Sequence, residues 1–184
     1  GAMIFVAILW SGAVQADSLR ACGEDILCLR QLHSSHRVRD VGYWRAFLAL
    51  PIDTRILAAP AKLVEYLNLD NQLNNFPNQP RSARPERQFL KDINDAIGEI
   101  PAAVKTLIDA RLMGVFLVED LGGTGFTDYV FDDQHLPVGA FVVLDAGVLT
   151  RSANAWAAWK ENSPFVAEPG FELQANIETT ADDN

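Results

Sequence analysis

Two of the three histidines in the chain have a spacing that would let them share a metal ion. His33 and His36, in the sequence HSSH, lie at positions i and i+3 near the end of a predicted helix, and such positions share one helix face. A zinc site needs further protein ligands, and those ligands need hydrogen-bond partners that hold their orientation. The surrounding sequence supplies neither, so we expect both histidines to be structural and assign no metal ligand.

The third histidine belongs to a short polar segment between two predicted strands. His135 follows Asp132 and Asp133 in DDQHLP. The regularly spaced acidic residues of a calcium-binding loop are absent from this segment. We therefore interpret it as a hairpin loop.

Three carboxylates flank the glycine-rich turn GGTG (122–125): Glu119, Asp120 and Asp128. Neighbouring carboxylates can act as general acid and base, but acidic residues beside turns more often hold the turn or cap a helix. The turn itself lacks the glycine spacing and the lysine of a phosphate-binding loop. We predict turn and cap roles here and assign no catalytic residue in the chain.

The only cysteines, Cys22 and Cys28, are six residues apart. In an unbroken helix their Cα atoms would be about 9 Å apart at roughly 1.5 Å per residue, which is too far for a disulfide. Gly23 and the acidic pair after it favour a helix that begins beyond Cys22, so Cys22 can fold back onto Cys28. We predict a disulfide formed in an oxidising compartment, with two reduced core thiols as the alternative.

The N-terminal residues 1–16 also favour export. Gly1–Met3 are typical of a tag-cleavage remnant, and the apolar run 4–10 leads into SGAVQA (11–16), as in a signal peptide. No basic residue precedes Arg20, so an ordinary buried first element is the alternative. The run is shorter than the roughly 20 residues that span a bilayer, so we expect a periplasmic or secreted protein without stable membrane insertion.

Composition argues against one class of partner. The net charge is −9, and the 15 basic residues are scattered along the chain. Nucleic-acid binding requires clustered Lys and Arg that neutralise phosphates, so we expect no nucleic-acid partner.

Hydrophobic periodicity predicts an α+β fold with an N-terminal helical lobe followed by a small mixed or antiparallel sheet and a crossing helix. The lobe covers 17–75, a Pro/Asn-rich linker covers 76–85, and the sheet region covers 86–184. We predict helices at 24–35, 41–49, 61–69 and 86–97, another from Pro101, a further one over TRILAA with Asp53 as its N-cap, and the crossing helix at 152–161.

On the crossing helix, Trp156 and Trp159 could line a groove, although core packing is the commoner use.

The predicted strands differ in how they alternate. MGVFLV (113–118) and GAFVVL (139–144) are apolar on both faces, which predicts central strands covered on both sides. FELQANIE (171–178) alternates strictly, so Phe171, Leu173, Ala175 and Ile177 should be buried in a half-exposed strand. We expect it to lie along the sheet with the two apolar strands among its partners.

The second half of the chain resembles a known group of proteins. IPAAVKTLIDARLMGVFLVEDLGGTGFTDYV, GAFVVLDAGVL, ANAWAAWKENSPF and LQANIE resemble the region upstream of the active-site helix in exported bacterial HExxH zinc metallopeptidase-like (zincin-like) proteins. There, the next helix carries two zinc-binding histidines and a general-base glutamate. This chain contains no HExxH, so no ligand or base is carried over. The resemblance implies zinc for the full-length protein but no cofactor for these residues.

Two functions follow as expectations. The first is the non-catalytic N-terminal portion of a zinc metallopeptidase-like protein, inactive as this fragment, in which strand 171–178 would pair with an extended substrate. The second is a self-sufficient periplasmic binding or inhibitor module with a peptide or protein partner. In the truncated case, an uncovered apolar patch would favour self-association.

Overall fold

The computed structural model describes residues 22–162. The helices are α1 (Ile26–Ser34), α2 (Val41–Leu48), α3 (Ala61–Leu73), α4 (Arg87–Glu99), α5 (Ala102–Arg111), α6 (Ala146–Leu149) and α7 (Ala153–Asn162). The strands are β1 (Ile56–Ala58), β2 (Arg81–Ser82), β3 (Leu112–Glu119), β4 (Gly125–Phe131) and β5 (Pro137–Asp145). The predicted α+β class is confirmed. None of the helices in this range is long and apolar enough to cross a membrane.

The strands form one mixed sheet in the order β1-β3-β5-β4. β1, β3 and β5 are parallel, β4 runs antiparallel to β5, and β2 pairs antiparallel with β3 beyond the end of β1. The two apolar strands, β3 and β5, are therefore central, as predicted. Each has neighbours on both sides.

The predicted TRILAA helix is wrong, because this segment forms β1. Ile56 lies opposite Val115 in a parallel pairing with β3, and Asp53 lies in a short 3-10 turn, Ile52–Thr54, without a side-chain cap bond. Pro51 and Pro60 limit any helix here to about two turns, a length at which tertiary pairing can outweigh helix propensity. Pairing with β3 satisfies the backbone of Ile56–Ala58, and the Ile56 side chain is buried.

The Pro/Asn-rich segment 76–85 contributes β2 to the sheet. Ala83 N–H and Ala59 N–H both donate to the Leu117 carbonyl, at 3.0 and 3.1 Å. The Ser82 hydroxyl donates to the Ala59 carbonyl at 2.7 Å. These bonds attach the segment to the end of β1.

The main core lies between one face of the sheet and helices α2 and α3. Trp44 is its centre, with ring centroids 5.2 Å from Phe116 and 5.5 Å from Phe141, and its indole N–H donates to the Val38 carbonyl. On the opposite face, the apolar side of α4 packs against Ile56 and Leu117. The sheet is thus covered on both faces around β1 and β3.

Arg55, just before β1, is a buried cation with 2% of its surface exposed. Its guanidinium donates to four main-chain carbonyls, those of Leu50 (2.7 Å), Asp109 (3.0 Å), Leu112 (2.6 Å) and Leu48 (3.3 Å). All four lie at or just beyond the C-terminal ends of α2 and α5, where carbonyls carry partial negative charge. Arg55 therefore joins two helix ends to the start of β3.

Replacing Arg55 with Met should destabilise the fold by about 2–4 kcal/mol, because four buried carbonyls lose their donor. Urea unfolding monitored by circular dichroism measures the change. The control is Arg30→Met, an exposed arginine of α1, which should stay within about 0.5 kcal/mol of the parent. Equal stabilities for the two variants would contradict this role for Arg55.

Candidate functional site

The predicted disulfide is present and fixes the start of α1. Cys22 and Cys28 are bonded, with their Cα atoms 5.5 Å apart. Gly23 takes a positive φ of 54°, and the Asp25 carboxylate caps α1 by accepting from Leu27 N–H and Cys28 N–H. Cys22 thus lies outside α1 and folds back, as the sequence predicted.

Both histidines of HSSH pack against one tyrosine of α3. The His33 ring stacks on Tyr66 at 4.5 Å, and the His36 ring lies 5.2 Å away at a tilt of 46°. His33 Nε2 is 3.1 Å from Asp70 Oδ1, but the two atoms are not aligned as a hydrogen bond. We call His33, His36, Arg39, Tyr66, Asp70 and Asp128 the Tyr66 cluster.

The tyrosine hydroxyl connects α3 to β4. Tyr66 is fully buried, and its O–H donates to Asp128 Oδ2 in a short hydrogen bond. Arg39 Nε is 3.7 Å from the same oxygen, and its guanidinium lies 4.9 Å from the centre of the Phe131 ring. Asp128 therefore faces the core from β4, which differs from the turn role that we expected. Burial, and next the hydrogen bond to Asp128, raise the pKa of the Tyr66 phenol above its ordinary value.

His36 is held as a neutral ring. It is 4% exposed, and its Nδ1 accepts from Val38 N–H at 3.4 Å, which assigns the proton to Nε2. Burial, followed by the charges of Lys62, His33 and Arg37, lowers its pKa to about 4. His36 therefore caps a turn and does not titrate near neutral pH.

The chemistry of the Tyr66 cluster is that of a structural network. A phenol with a raised pKa is a poor base, and a neutral capped imidazole is not positioned to accept a substrate proton. What the cluster does is join α1, the turn after it, α3 and β4 through polar contacts inside the core. Across residues 22–162 no group of three or more His, Cys, Asp or Glu side chains is arranged to hold a metal.

A cleft of about 360 Å³ borders the cluster and brings two histidines together. It is lined by Ser34, Ser35, His36, Arg39, Asp40, Phe131, Asp132, Asp133 and His135. Asp132 Oδ1 accepts from Gln134 N–H and Leu136 N–H, both at 2.9 Å, so the β4–β5 connection is the hairpin loop that we predicted. No local pattern placed His135 beside His36.

A second polar group lies at the carboxyl ends of β3 and β5. Asp120, at a positive φ of 60°, accepts from Asn78 Nδ2 (2.7 Å) and Gln79 N–H (3.0 Å), and the Asn78 bond is the main reason that its pKa is lowered. Gly122 has a φ of 86°, and a Cβ there would lie 2.6 Å from Asn78 Oδ1. Asp120 thus joins the residue before the GGTG turn to the segment Asn78–Gln79.

Sequence reasoning missed Asp145. It is buried, and its carboxylate accepts from Leu121 N–H (2.8 Å), Gly147 N–H (2.8 Å) and Val148 N–H (3.2 Å). It therefore caps α6 and fixes the GGTG turn to the end of β5. The available signal was an Asp immediately before a helix start.

The remaining sequence candidates are the two tryptophans of α7, the predicted strand 171–178 and Glu119. Trp156 is 37% exposed, so it does not pack in a core formed by the described part of the chain, and nothing is described for the Trp159 side chain. The predicted strand 171–178, with Phe171, Leu173, Ala175 and Ile177, lies outside the described residues. Glu119 lies opposite Arg81 of β2, at the margin of the sheet.

Comparison with protein-family models, with curated proteins and with solved structures finds no match to this chain.

The burial of His36 predicts that the folded protein loses stability in acid. The unfolded chain binds a proton at His36 near pH 6.5, whereas the folded chain does so only near pH 4. Stability should therefore be fully present above pH 6.5 and should fall as the pH drops towards 4, by up to roughly 3 kcal/mol. His36→Asn, which keeps a cap acceptor without titrating, should flatten this dependence in urea unfolding measured from pH 7 to 4.5. His135→Asn, on the hairpin loop, is the control, and an unchanged slope in His36→Asn would refute the assignment.

The Tyr66 hydroxyl should contribute measurably to stability. Tyr66→Phe removes the donor to a partly buried carboxylate and should cost about 1–3 kcal/mol. Tyr129→Phe makes the same change at an exposed site on β4 and should have little effect. In the double variant with Asp128→Asn, the losses should be clearly less than additive. Fully additive losses would mean that the two groups do not interact.

Proposed function

We propose that this chain is the non-catalytic N-terminal portion of an exported zinc metallopeptidase-like protein, without peptidase activity as these 184 residues. The observation that carries the proposal is the sheet. Two of the four resembling segments contain β3, β4 and β5, and these strands belong to a mixed sheet with its antiparallel strand, β4, at one edge. Apart from a single bridge between Asp40 and Phe131, the outer side of β4 has no strand partner within residues 22–162.

An open sheet edge suits a protein that handles extended peptides. A peptide that adds to an edge gains main-chain hydrogen bonds, and pockets for alternate side chains provide selectivity. Here the edge is backed by the parallel strands β3 and β5, whose register pairs Phe116 with Val143. The covered centre supplies the rigidity that such pairing needs.

The proposed location is the periplasm or the exterior of the cell. The Cys22–Cys28 disulfide supports this, because disulfides persist in oxidising compartments and are rare in the cytosol. Cys22 of this disulfide packs with Leu29 of α1 and Leu69 of α3 in a small apolar cluster. The location remains part of the proposal.

The histidines of this chain do not fit a zinc site. His33 is engaged with Asp70 and Tyr66, and His36 uses Nδ1 to cap its own turn. His135 belongs to the hairpin loop and lines the same cleft as His36, without a third ligand arranged beside them in residues 22–162. The zinc that the resemblance implies would need ligands from a further helix, and we derive no catalytic step through it.

Sequencing the native reading frame tests the proposal, which expects the frame to continue into an HExxH helix. The extended protein should bind one zinc ion and cleave peptides, and an alanine at either helix histidine should abolish both. The 184-residue chain is the matched control and should retain no stoichiometric zinc after a chelator wash. A reading frame that ends without HExxH, or stoichiometric zinc on the washed control, would overturn it.

One observation favours the second candidate, a self-sufficient binding module for a peptide or protein. An apolar cleft of about 480 Å³ lies between α5 and the β4–β5 hairpin, lined by Leu107, Ile108, Arg111, Leu112, Tyr129, Pro137, Val138, Gly139 and Ala140. Leu107 and Tyr129 are 60% and 62% exposed. Such a patch is typical of an interaction site or of self-association. The reading-frame test separates this candidate from the first.

A further inference from the structure

Helix α5 carries an apolar stripe that lies largely at the surface. Val104, Leu107, Ile108 and Arg111 recur at i, i+3, i+4 and i+7, so they share one helix face. Such a stripe normally packs into a core. Here α5 has no fully buried residue, and Val104 and Leu107 are 46% and 60% exposed. Within residues 22–162, this stripe therefore has little apolar cover.

The opposite side of α5 holds the stripe in place. The Asp109 carboxylate accepts from Ile52 N–H at 3.2 Å, and the Asp109 carbonyl accepts from the buried Arg55 guanidinium at 3.0 Å. At its C-terminal end, α5 continues directly into β3. Because these contacts fix the helix end, the stripe is a preformed wall, and a partner that binds it need not order it first.

The start of the β4–β5 hairpin forms the other wall of the apolar cleft described above. Tyr129, Val138 and Ala140 line this wall. The Arg111 guanidinium donates to the Val138 carbonyl at 3.3 Å, which joins the two walls. Together the stripe and the hairpin form an open groove, which we call the α5 groove.

The α5 groove suits a helix better than an extended peptide. It lies over a sheet face, where the strands are already paired with each other, Tyr129 with Ala140 and Val130 with Gly139. An extended peptide would bring main-chain N–H and C=O groups that need partners. A helix satisfies its own main chain and has only an apolar stripe to bury.

We propose that the α5 groove binds an amphipathic helix of a partner protein, with a carboxylate beside its apolar stripe paired to Arg111. Arg111 is the one charged side chain in the lining. It is exposed and makes no ion pair within residues 22–162. A carboxylate placed there gains a charge-assisted hydrogen bond and sets the direction of the helix. The ten residues of α5 span about 15 Å, so about three turns of partner helix match them.

Charge favours a different chain over a second copy of this one. In a two-fold contact the same surface meets itself, and the lining of the α5 groove contains no carboxylate for Arg111. The net charge of −9 on each copy further opposes their association. The inference rests on the second candidate function, peptide or protein binding. Its test measures neither zinc nor the reading frame, so its failure is distinguishable from failure of the peptidase proposal.

Binding of two synthetic helices to the full-length chain tests the inference. Each is a stapled, fluorescein-labelled peptide of about four turns with a leucine stripe, flanked by glutamates in one peptide and by lysines in the other. Fluorescence anisotropy should show at least about fivefold tighter binding of the glutamate peptide. Arg111→Glu should reverse this order. Arg30→Glu, the same change at an exposed arginine of α1, should not.

A second pair of variants tests the apolar contact. Leu107→Asp should weaken the binding of both peptides at least about tenfold, because it places a charge in the centre of the contact. Leu27→Asp makes the same change on α1, where Leu27 is 76% exposed, and should leave binding unchanged.

Four results would overturn the proposal. Equal affinities of the parent for the two peptides would remove the role of Arg111, and equal losses in Leu107→Asp and Leu27→Asp would place the contact elsewhere. A monomeric parent that binds neither peptide would mean that the groove is closed to a partner helix. In sedimentation, a parent dimer that Leu107→Asp dissociates and Leu27→Asp does not would make a second copy the occupant.

Discussion

A buried guanidinium needs hydrogen-bond acceptors in place of water, and in this protein that need joins the start of the sheet to two helix ends. Arg55 meets it with carbonyls at the ends of α2 and α5, while its own carbonyl accepts from Val115 N–H at 2.9 Å. The same carbonyl lies 2.7 Å from where a Cβ on Gly114 would be, so β3 needs a glycine there to approach. Since a buried unpaired charge is very costly, β1, the start of β3 and the two helix ends are fixed together.

The polar groups of the fold are used to attach its peripheral elements to this frame. The disulfide and the Tyr66 cluster attach α1 and the turn after it to α3 and β4, and Asp120 and Asp145 attach the loops at the carboxyl ends of the strands. Asp128, Asp120 and Asp145 already accept hydrogen bonds from neighbouring groups. Nε2 of His33 and Nε2 of His36 are buried without a hydrogen-bond partner among residues 22–162. The proposed function rests on the sheet edge and not on these titratable groups.

Much of the architecture was predictable because its signals are local. Continuous apolar runs identified β3 and β5 as central strands, and Pro101 marked the start of α5. The spacing of the two cysteines, with Gly23 between them, predicted the disulfide. β1 was missed because its three residues become a strand only through Val115 and its neighbours, about sixty positions later. The Tyr66 cluster was missed for a similar reason: residues 33, 36, 66 and 128 form no pattern along the chain, and burial alone brings them together.

If this chain is, as proposed, the sheet-bearing part of an exported zinc metallopeptidase-like protein, intact-mass spectrometry of the protein from its native cells will show it. The mature polypeptide should begin near Asp17, carry an intact Cys22–Cys28 bond and extend beyond Asn184. Under native conditions its mass should include one zinc ion, which denaturation should remove. A metal-free mature protein that ends near Asn184, or one with two reduced cysteines, would refute the proposal.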